Sequence, residues 1–454
     1  MPVFTSSIEV TADYPTIKPS LNLNFARSRS LDPRITFERA SVGTYVGRDG
    51  LIKTAGEDEA RFDHDPVTLE SLGLLIEESR TNILPYSSDI VGQANWSRSG
   101  VTTVAATSIT APDGSTDTVG LRSDGTNGQH TLYDDISVSN IAAVYTASCW
   151  VKEGTKDFAE LFANGAGGTG TITIAYKYDL VNKTVEYTGT GGFSAGTSAT
   201  ITEYPNGWFR ITMTGDVADT ATGAGTYRFH VRARTDVSGN YQGDNTDGIY
   251  IWGPQVELGA FPTSYIPTSG AAVTRTEDKA DIRGDAFQSI FNSNFNEFSG
   301  VIEFDNDDLP NPPANYYSIF ELWGENTNFE NRIQITREND GLPWGIETRA
   351  FGSNTALFSN GNISGSNTAA LKKLAFSWNI PDYSTTTGRR WAFSFSGETV
   401  DLVPNNNGAG LPQVTRMGIG YSPTRNEGQS KTHFKRLTIY PKALTDAQLQ
   451  LLTS

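Results

Sequence analysis

The segment VIEFDNDD offers the most concentrated acid chemistry in the chain. A strand would send Glu303 and Asp305 to the same face, and Asp308 follows shortly after. Carboxyl groups held about 5 to 5.5 Å apart can hydrolyse a glycosidic bond with retention. Here the segment runs straight into LPNPP, and a proline-interrupted strand end is a poor platform for such a pair. The expectation is therefore solvated acids on an outer face and no catalytic residue. GFSAG, with Ser194 at its centre, has the Gly-x-Ser-x-Gly pattern of a nucleophile elbow. That device needs a strand, a sharp turn and a helix, whereas Ser194 lies in a glycine- and threonine-rich stretch with no helical pattern after it.

Metal and ligand chemistry is sparser. DHD at Asp63, His64 and Asp65 is the one histidine-carboxylate cluster, and a turn with Asx hydrogen bonds ahead of Pro66 accounts for it. Asp244 and Asp247 in GDNTDG are the candidate ligands for a structural calcium ion, with ordinary turn residues as the alternative. No other cofactor is expected. In YRFHVRART, one strand face carries Arg228, His230, Arg232 and Arg234, a basic row on an acidic protein. Guanidinium forks in such a row suit an anionic sugar or a carboxylate-rich neighbour, and cross-strand pairing with Glu160 or Asp157 is the favoured alternative. Candidate sugar-stacking aromatics are Trp323, Trp344, Tyr316 and Tyr317, with Trp208 opposite the apolar face of WFRITM. Trp378 and Trp391 fall in the apolar phase of their strands and belong to the core.

Short runs with apolar residues at every second position position these side chains. TITIAYKY, WFRITM, YRFHVRA, LAFSWNI and RRWAFSF each put their large residues on one face, the pattern of half-buried strands. Glycine, asparagine, aspartate and threonine clusters separate them and supply turns. The expected class is all-β: two tandem antiparallel β-sandwiches, or jelly rolls, after an N-terminal adaptor segment. Thr445 and Gln448 have capping-box spacing and predict a short C-terminal helix. The expected divisions are residues 1–85 as an anchoring adaptor with little core of its own, 86–270 as the first sandwich, 271–294 as a linker and 295–454 as the second sandwich.

Of 454 residues, 51 are acidic and 35 basic, a net charge of −16 with no basic run. Nucleic acid is a poor partner for such a chain. The N-terminus lacks the basic and apolar regions of a signal peptide, and no apolar run approaches the length of a membrane span, so a soluble chain without membrane contact is expected. The single cysteine, Cys149, excludes an intrachain disulfide and reads as a small buried hydrophobe in YTASCWV.

Residues 30–84, SLDPRITFERASVGTYVGRDGLIKTAGEDEARFDHDPVTLESLGLLIEESRTNIL, closely resemble a segment of phage virion proteins, typically fibre or spike components. YTASCWVKEGT, NGWFRITM and GIYIWGPQVELGAFPTSYIPT are similar to the carbohydrate-binding-module-like jelly roll that often follows it. The C-terminal part resembles a concanavalin A-like or laminin-G-like sandwich, with HFKRLTIYPKALTDAQL as its closing strand and helix. The resemblance implies a bacteriophage virion protein, homotrimeric and exposed on the tail or capsid. It would join other virion proteins through its N-terminal part and adhere to host surface polysaccharide. A non-enzymatic protein is expected, with a glycan depolymerase and a purely structural decoration or joining protein as alternatives. On this reading Leu72 to Ile76 bury against partner chains, and residues 1 to about 30 become ordered only on the particle.

Overall fold

The computed structural model describes residues 14–166, 173–190, 197–217, 223–291, 295–305, 317–324, 332–338, 345–346, 351–352, 355–356, 371–381, 387–397, 400–402, 414–423 and 431–454. Among these residues the chain is all-β, with two short α-helices, Gly284–Ile290 and Asp446–Thr453. The second helix carries the predicted capping box: the Thr445 hydroxyl accepts from the Gln448 amide while the Gln448 side chain accepts from the Thr445 amide.

Two pairs of facing antiparallel sheets form the body. In the first sandwich, a six-stranded sheet centred on Tyr145–Glu153 and Asp247–Leu258 faces a seven-stranded sheet centred on Phe158–Ala166 and Gly225–Arg234. The inward phase of each strand fills the gap, as the alternation dictates. Ile211 and Met213 meet Leu161, Tyr178 and Phe229, and Cys149 is buried among them. Burial also pushes the Cys149 thiol well above its usual pKa, so it stays protonated.

One inward position of this core is polar. Asp134 shares its phase with Leu132 and Ile136, is almost fully buried, and its Oδ2 has no hydrogen-bond partner. Burial pushes its carboxyl up to about 6. The fold thus favours the neutral acid. The stability this favours is fully present below the ordinary carboxylate range and is lost as pH rises through about 6. Asp134→Asn should therefore unfold at higher urea than the parent at pH 7.5, by on the order of 2 kcal/mol, with the gap closing near pH 4. Urea unfolding of both proteins at the two pH values checks this, and a gap independent of pH contradicts it.

The second sandwich departs from the expected divisions. Its larger sheet takes Glu297–Asp305, Leu371–Asn379, Arg390–Phe395 and Thr432–Tyr440 from the C-terminal region, and adds Leu21–Asn24, Arg61–His64 and Ser71–Ile76 from the N-terminal block. Its facing sheet takes Thr36–Glu38 and Lys279–Arg283 beside Arg416–Ile419 and Tyr317–Trp323. Residues 14–85 are thus not a separate adaptor, and 271–291, the described part of the expected linker, is not an extended linker. Apolar residues on short strands decide this: Leu21, Leu23, Phe25, Phe37, Leu74 and Ile76 are all buried in one core with Phe298, Phe376 and Trp378. Leu74 to Ile76 therefore face their own chain and not a partner, which corrects the expected contact. Leu23 stands opposite Leu437 and Leu74 opposite Phe434, so residues near 20 are ordered without any particle. Gly73 has φ +95°, and a Cβ there would lie 2.1 Å from the Phe434 carbonyl oxygen, so only glycine admits this close strand crossing.

The N-terminal block also reaches the first sandwich. The hairpin Gly43–Val46 and Ile52–Ala55 lays Val46 and Ile52 against Trp150, Trp208 and Tyr265. Beneath it sits a buried ionic clasp. Arg61 donates to Glu77 at 2.7 Å, to Ser264 at 2.8 Å and to Asp278. Arg39 donates to the other Asp278 oxygen at 3.0 Å, and Arg275 lies 3.6 Å from Glu77. Burial opposes the charge on Glu77, yet Arg275 and Arg61 outweigh it and hold the carboxyl far below its usual range. Residues of the resemblance block thus tie the two sandwiches together.

Candidate functional site

Five residues of the expected linker, KADIR, form a strand with the clearest functional pattern in the structure. Ala280 and Ile282 point into the core, so Lys279, Asp281 and Arg283 line up on the outer face. To one side, Thr36 pairs with Asp281 and Glu38 with Lys279. To the other, Asp281 pairs with Gly418 and Arg283 with Arg416, and the next strand sets Trp323 opposite Arg416.

These residues, with Tyr421 and Pro423, line a cavity of about 240 Å³. Asp281 is 8 % exposed, and its Oδ1 has no hydrogen-bond partner among the described residues. The Nε of Arg283 is 3.6 Å away and the Nη1 of Arg416 is 4.0 Å from Oδ2, both beyond hydrogen-bonding range. Burial raises the Asp281 pKa, partly offset by Arg283 and Arg416. Arg283 is engaged by Glu38 at 2.9 Å, and Lys279 by Glu277 at 2.7 Å while lying over the Tyr421 ring. Trp323 packs edge-on to Tyr421 with centroids 6.1 Å apart. Gly418 makes room for it, since a Cβ there would sit 2.7 Å from the indole. The site thus combines a carboxylate wanting a donor, a guanidinium beside it and an aromatic wall. It can hold a polar ring by hydrogen bonds, with the half-buried Tyr421 as the aromatic within its reach.

Of the aromatics expected to stack on sugar, Trp323 reaches this cavity, although only 3 % of it is exposed. Tyr316 and Trp344 lie outside the described residues, as does the side chain of Tyr317. Trp208 is no platform: it is fully buried and donates to the Thr110 carbonyl at 2.9 Å. Ser194 and Asp308 also lie outside the described residues.

The basic row has the predicted phase, and its guanidinium groups are engaged by acids of the same sheet. Arg232 and Arg234 are buried and both donate to Glu160, and Arg228 is paired with Asp135. The favoured cross-strand pairing explains the row. Between them His230 is stacked on Tyr133 and meets Phe162 edge-on, and burial followed by Arg232 and Arg228 pushes its pKa down to about 2. A neutral imidazole suits this packing.

Both candidate calcium ligands are engaged by side chains of the protein. Asp244 accepts from Ser123 at 3.0 Å and pairs with Lys156 at 3.1 Å, and Asp247 is paired with Arg122 at 2.8 Å. Hydrogen bonds from Thr246 and Lys156 hold the Asp244 carboxyl well below its usual range. Among the described residues no group of three or more histidine, cysteine or acidic side chains is placed to hold a metal. Asp65 forms the expected Asx turn, accepting from the Val67 and Thr68 amides at 2.9 and 2.7 Å. Asp63 instead accepts from the Val46 amide and meets His433 at 2.8 Å.

Sequence reasoning missed Asp281, Arg283, Arg416 and Tyr421. The alternation in KADIR was a legible signal for the first two.

No family model matches the chain, and no curated protein matches it. Solved structures similar to it include the Trypanosoma rangeli sialidase, at 12 % identity and a TM-score of 0.27, covering 74 % of this chain and 60 % of that one. Another is a bifunctional GH43-CE protein of Bacteroides eggerthii, at 11 % identity and a TM-score of 0.22, covering 88 % of this chain and 48 % of that one. The chain thus spans less than two thirds of the length of either. Because these neighbours are glycoside hydrolases, the expectation of a non-enzymatic protein is corrected and not carried forward. Similarity at this level assigns neither a reaction nor a catalytic residue.

Proposed function

We propose that this chain is a bacteriophage virion protein, exposed on the particle, that adheres to host surface polysaccharide through the cavity on its C-terminal sandwich. The observation that carries the adhesion reading is one cavity joining the donor-less Asp281 carboxylate to Trp323, Tyr421 and Arg416. A sugar offers hydroxyl donors for the carboxylate, oxygen acceptors for the guanidinium, and a C–H face for the half-buried Tyr421. The virion reading is supported by the resemblance of residues 30–84. Assembly as a homotrimer belongs to the same proposal, with contacts other than Leu72 to Ile76.

Antibodies against the purified chain are expected to decorate intact particles, and a gel containing host surface polysaccharide should retard the chain. Undecorated particles would remove the virion part, and unretarded migration the adhesion part. Reducing ends released in the same incubation would report cleavage.

A further inference from the structure

We propose that the ring held in this cavity carries a carboxylate, which Arg416 takes while a ring hydroxyl donates to Asp281. This rests on the saccharide reading above and adds its charge class.

The argument begins with register. Arg283 and Arg416 stand directly opposite each other on neighbouring strands, an arrangement that destabilises a sheet unless anions answer it. Glu38 answers Arg283 at 2.9 Å. Arg416 has only Asp281, at 4.0 Å, a separation that leaves its guanidinium without a hydrogen-bond acceptor among the described residues. Its side chain is 35 % exposed and lines the cavity, so an incoming anion can reach it.

The charge count points the same way. Of the cations lining the cavity, Lys279 is answered by Glu277 and Arg283 by Glu38, which among the described residues leaves Arg416 to an incoming anion. A planar carboxylate matches the guanidinium fork bidentately. A dianionic phosphate suits the site poorly, because the Asp281 carboxylate lies 4.0 Å from Arg416 and would repel a second negative charge brought beside it. A sugar carboxylate brings one charge, and its neighbouring hydroxyls supply the donor that Asp281 Oδ1 lacks. Trp323, seated over Gly418, then walls one side of the ring.

The test uses the full-length chain and host surface polysaccharide in two forms, native and with its carboxyl groups chemically reduced to alcohols. Affinity electrophoresis at about 0.15 M salt, where the Debye length is ~8 Å, limits non-specific attraction. Native polysaccharide should retard the chain at least tenfold more strongly than the reduced form, and Arg416→Ala should abolish that difference. Asp281→Asn should weaken binding of both forms, because the hydroxyl contact is common to them. Equal retardation by the two forms overturns the charge class and leaves the saccharide reading standing. Retardation by neither form overturns both. Displacement by millimolar inorganic phosphate would identify a general anion site and overturn the ring-carboxylate proposal. Thermal unfolding of both variants keeps loss of fold separate from loss of binding, and Arg416→Lys, which keeps the charge and loses the fork, should recover only part of the preference.

Discussion

A chain that begins at Leu31 is expected not to fold. It lacks the strand Leu21–Asn24, whose register against Arg436 to Ile439 extends one edge of the second sandwich's larger sheet. It also lacks Leu21, Leu23 and Phe25, each at least 97 % buried in that core. Burying one such side chain is worth about 1.5–3 kcal/mol, so losing three removes roughly 5–9 kcal/mol before the lost backbone hydrogen bonds are counted, a sum comparable to the whole stability of an ordinary domain. The predicted result is insoluble protein, or soluble protein without a cooperative thermal transition. Phe25→Ala gives a graded version, about 3–5 kcal/mol less stable and still folded. A chain from Leu31 that melts like the parent would refute the placement of the N-terminal strand. It also follows that loss of such a chain from virions would report misfolding and not loss of an anchor.

Asp278→Ala should be the most damaging single change to a charge. Asp278 accepts from Arg39 through one oxygen, and from Arg61 and the Glu77 amide through the other. Its removal leaves two fully buried guanidinium groups short of an acceptor, and breaking a buried ionic network from one side costs about 3–5 kcal/mol. Glu203→Ala breaks an exposed pair with Lys183 and should cost less than about 1 kcal/mol. Urea midpoints of the two variants provide the comparison. Similar losses from both would mean that the clasp does not hold the two sandwiches together.

The parts of the fold that the sequence made legible are those where a strand is long enough to display its period. Phe209, Ile211 and Met213, or Leu374, Phe376 and Trp378, are inward as the alternation predicts. The Thr445 cap and the buried Cys149 were legible because each depends on a few adjacent residues. Membership of the N-terminal block was not. Its strands run for three to six residues, and a partner can lie more than four hundred positions away, as Leu437 does from Leu23. Nothing local reveals that Glu77 and Asp278 meet Arg39, Arg61 and Arg275 in the interior. The cavity was hidden for the same reason. It is assembled from Glu38, Asp281, Trp323 and Arg416, which only the sheet order brings side by side. For Arg232 and Arg234 the sequence supplied the correct face, but Glu160 occupies the charges that a ligand would need.

Blocking the cavity without touching its charged residues tests the central claim most directly. Thr36 is half-buried on its rim, opposite Asp281, and Thr36→Trp would fill much of the space while leaving Asp281, Arg416 and Trp323 in place. Migration of the parent and of Thr36→Trp through a gel containing host surface polysaccharide is the measurement, with thermal unfolding of both as the control. The account predicts retardation of the parent, at least tenfold weaker retardation of the variant, and melting temperatures within a few degrees of each other. Equal retardation of the two proteins would place the polysaccharide elsewhere on the chain and contradict the account.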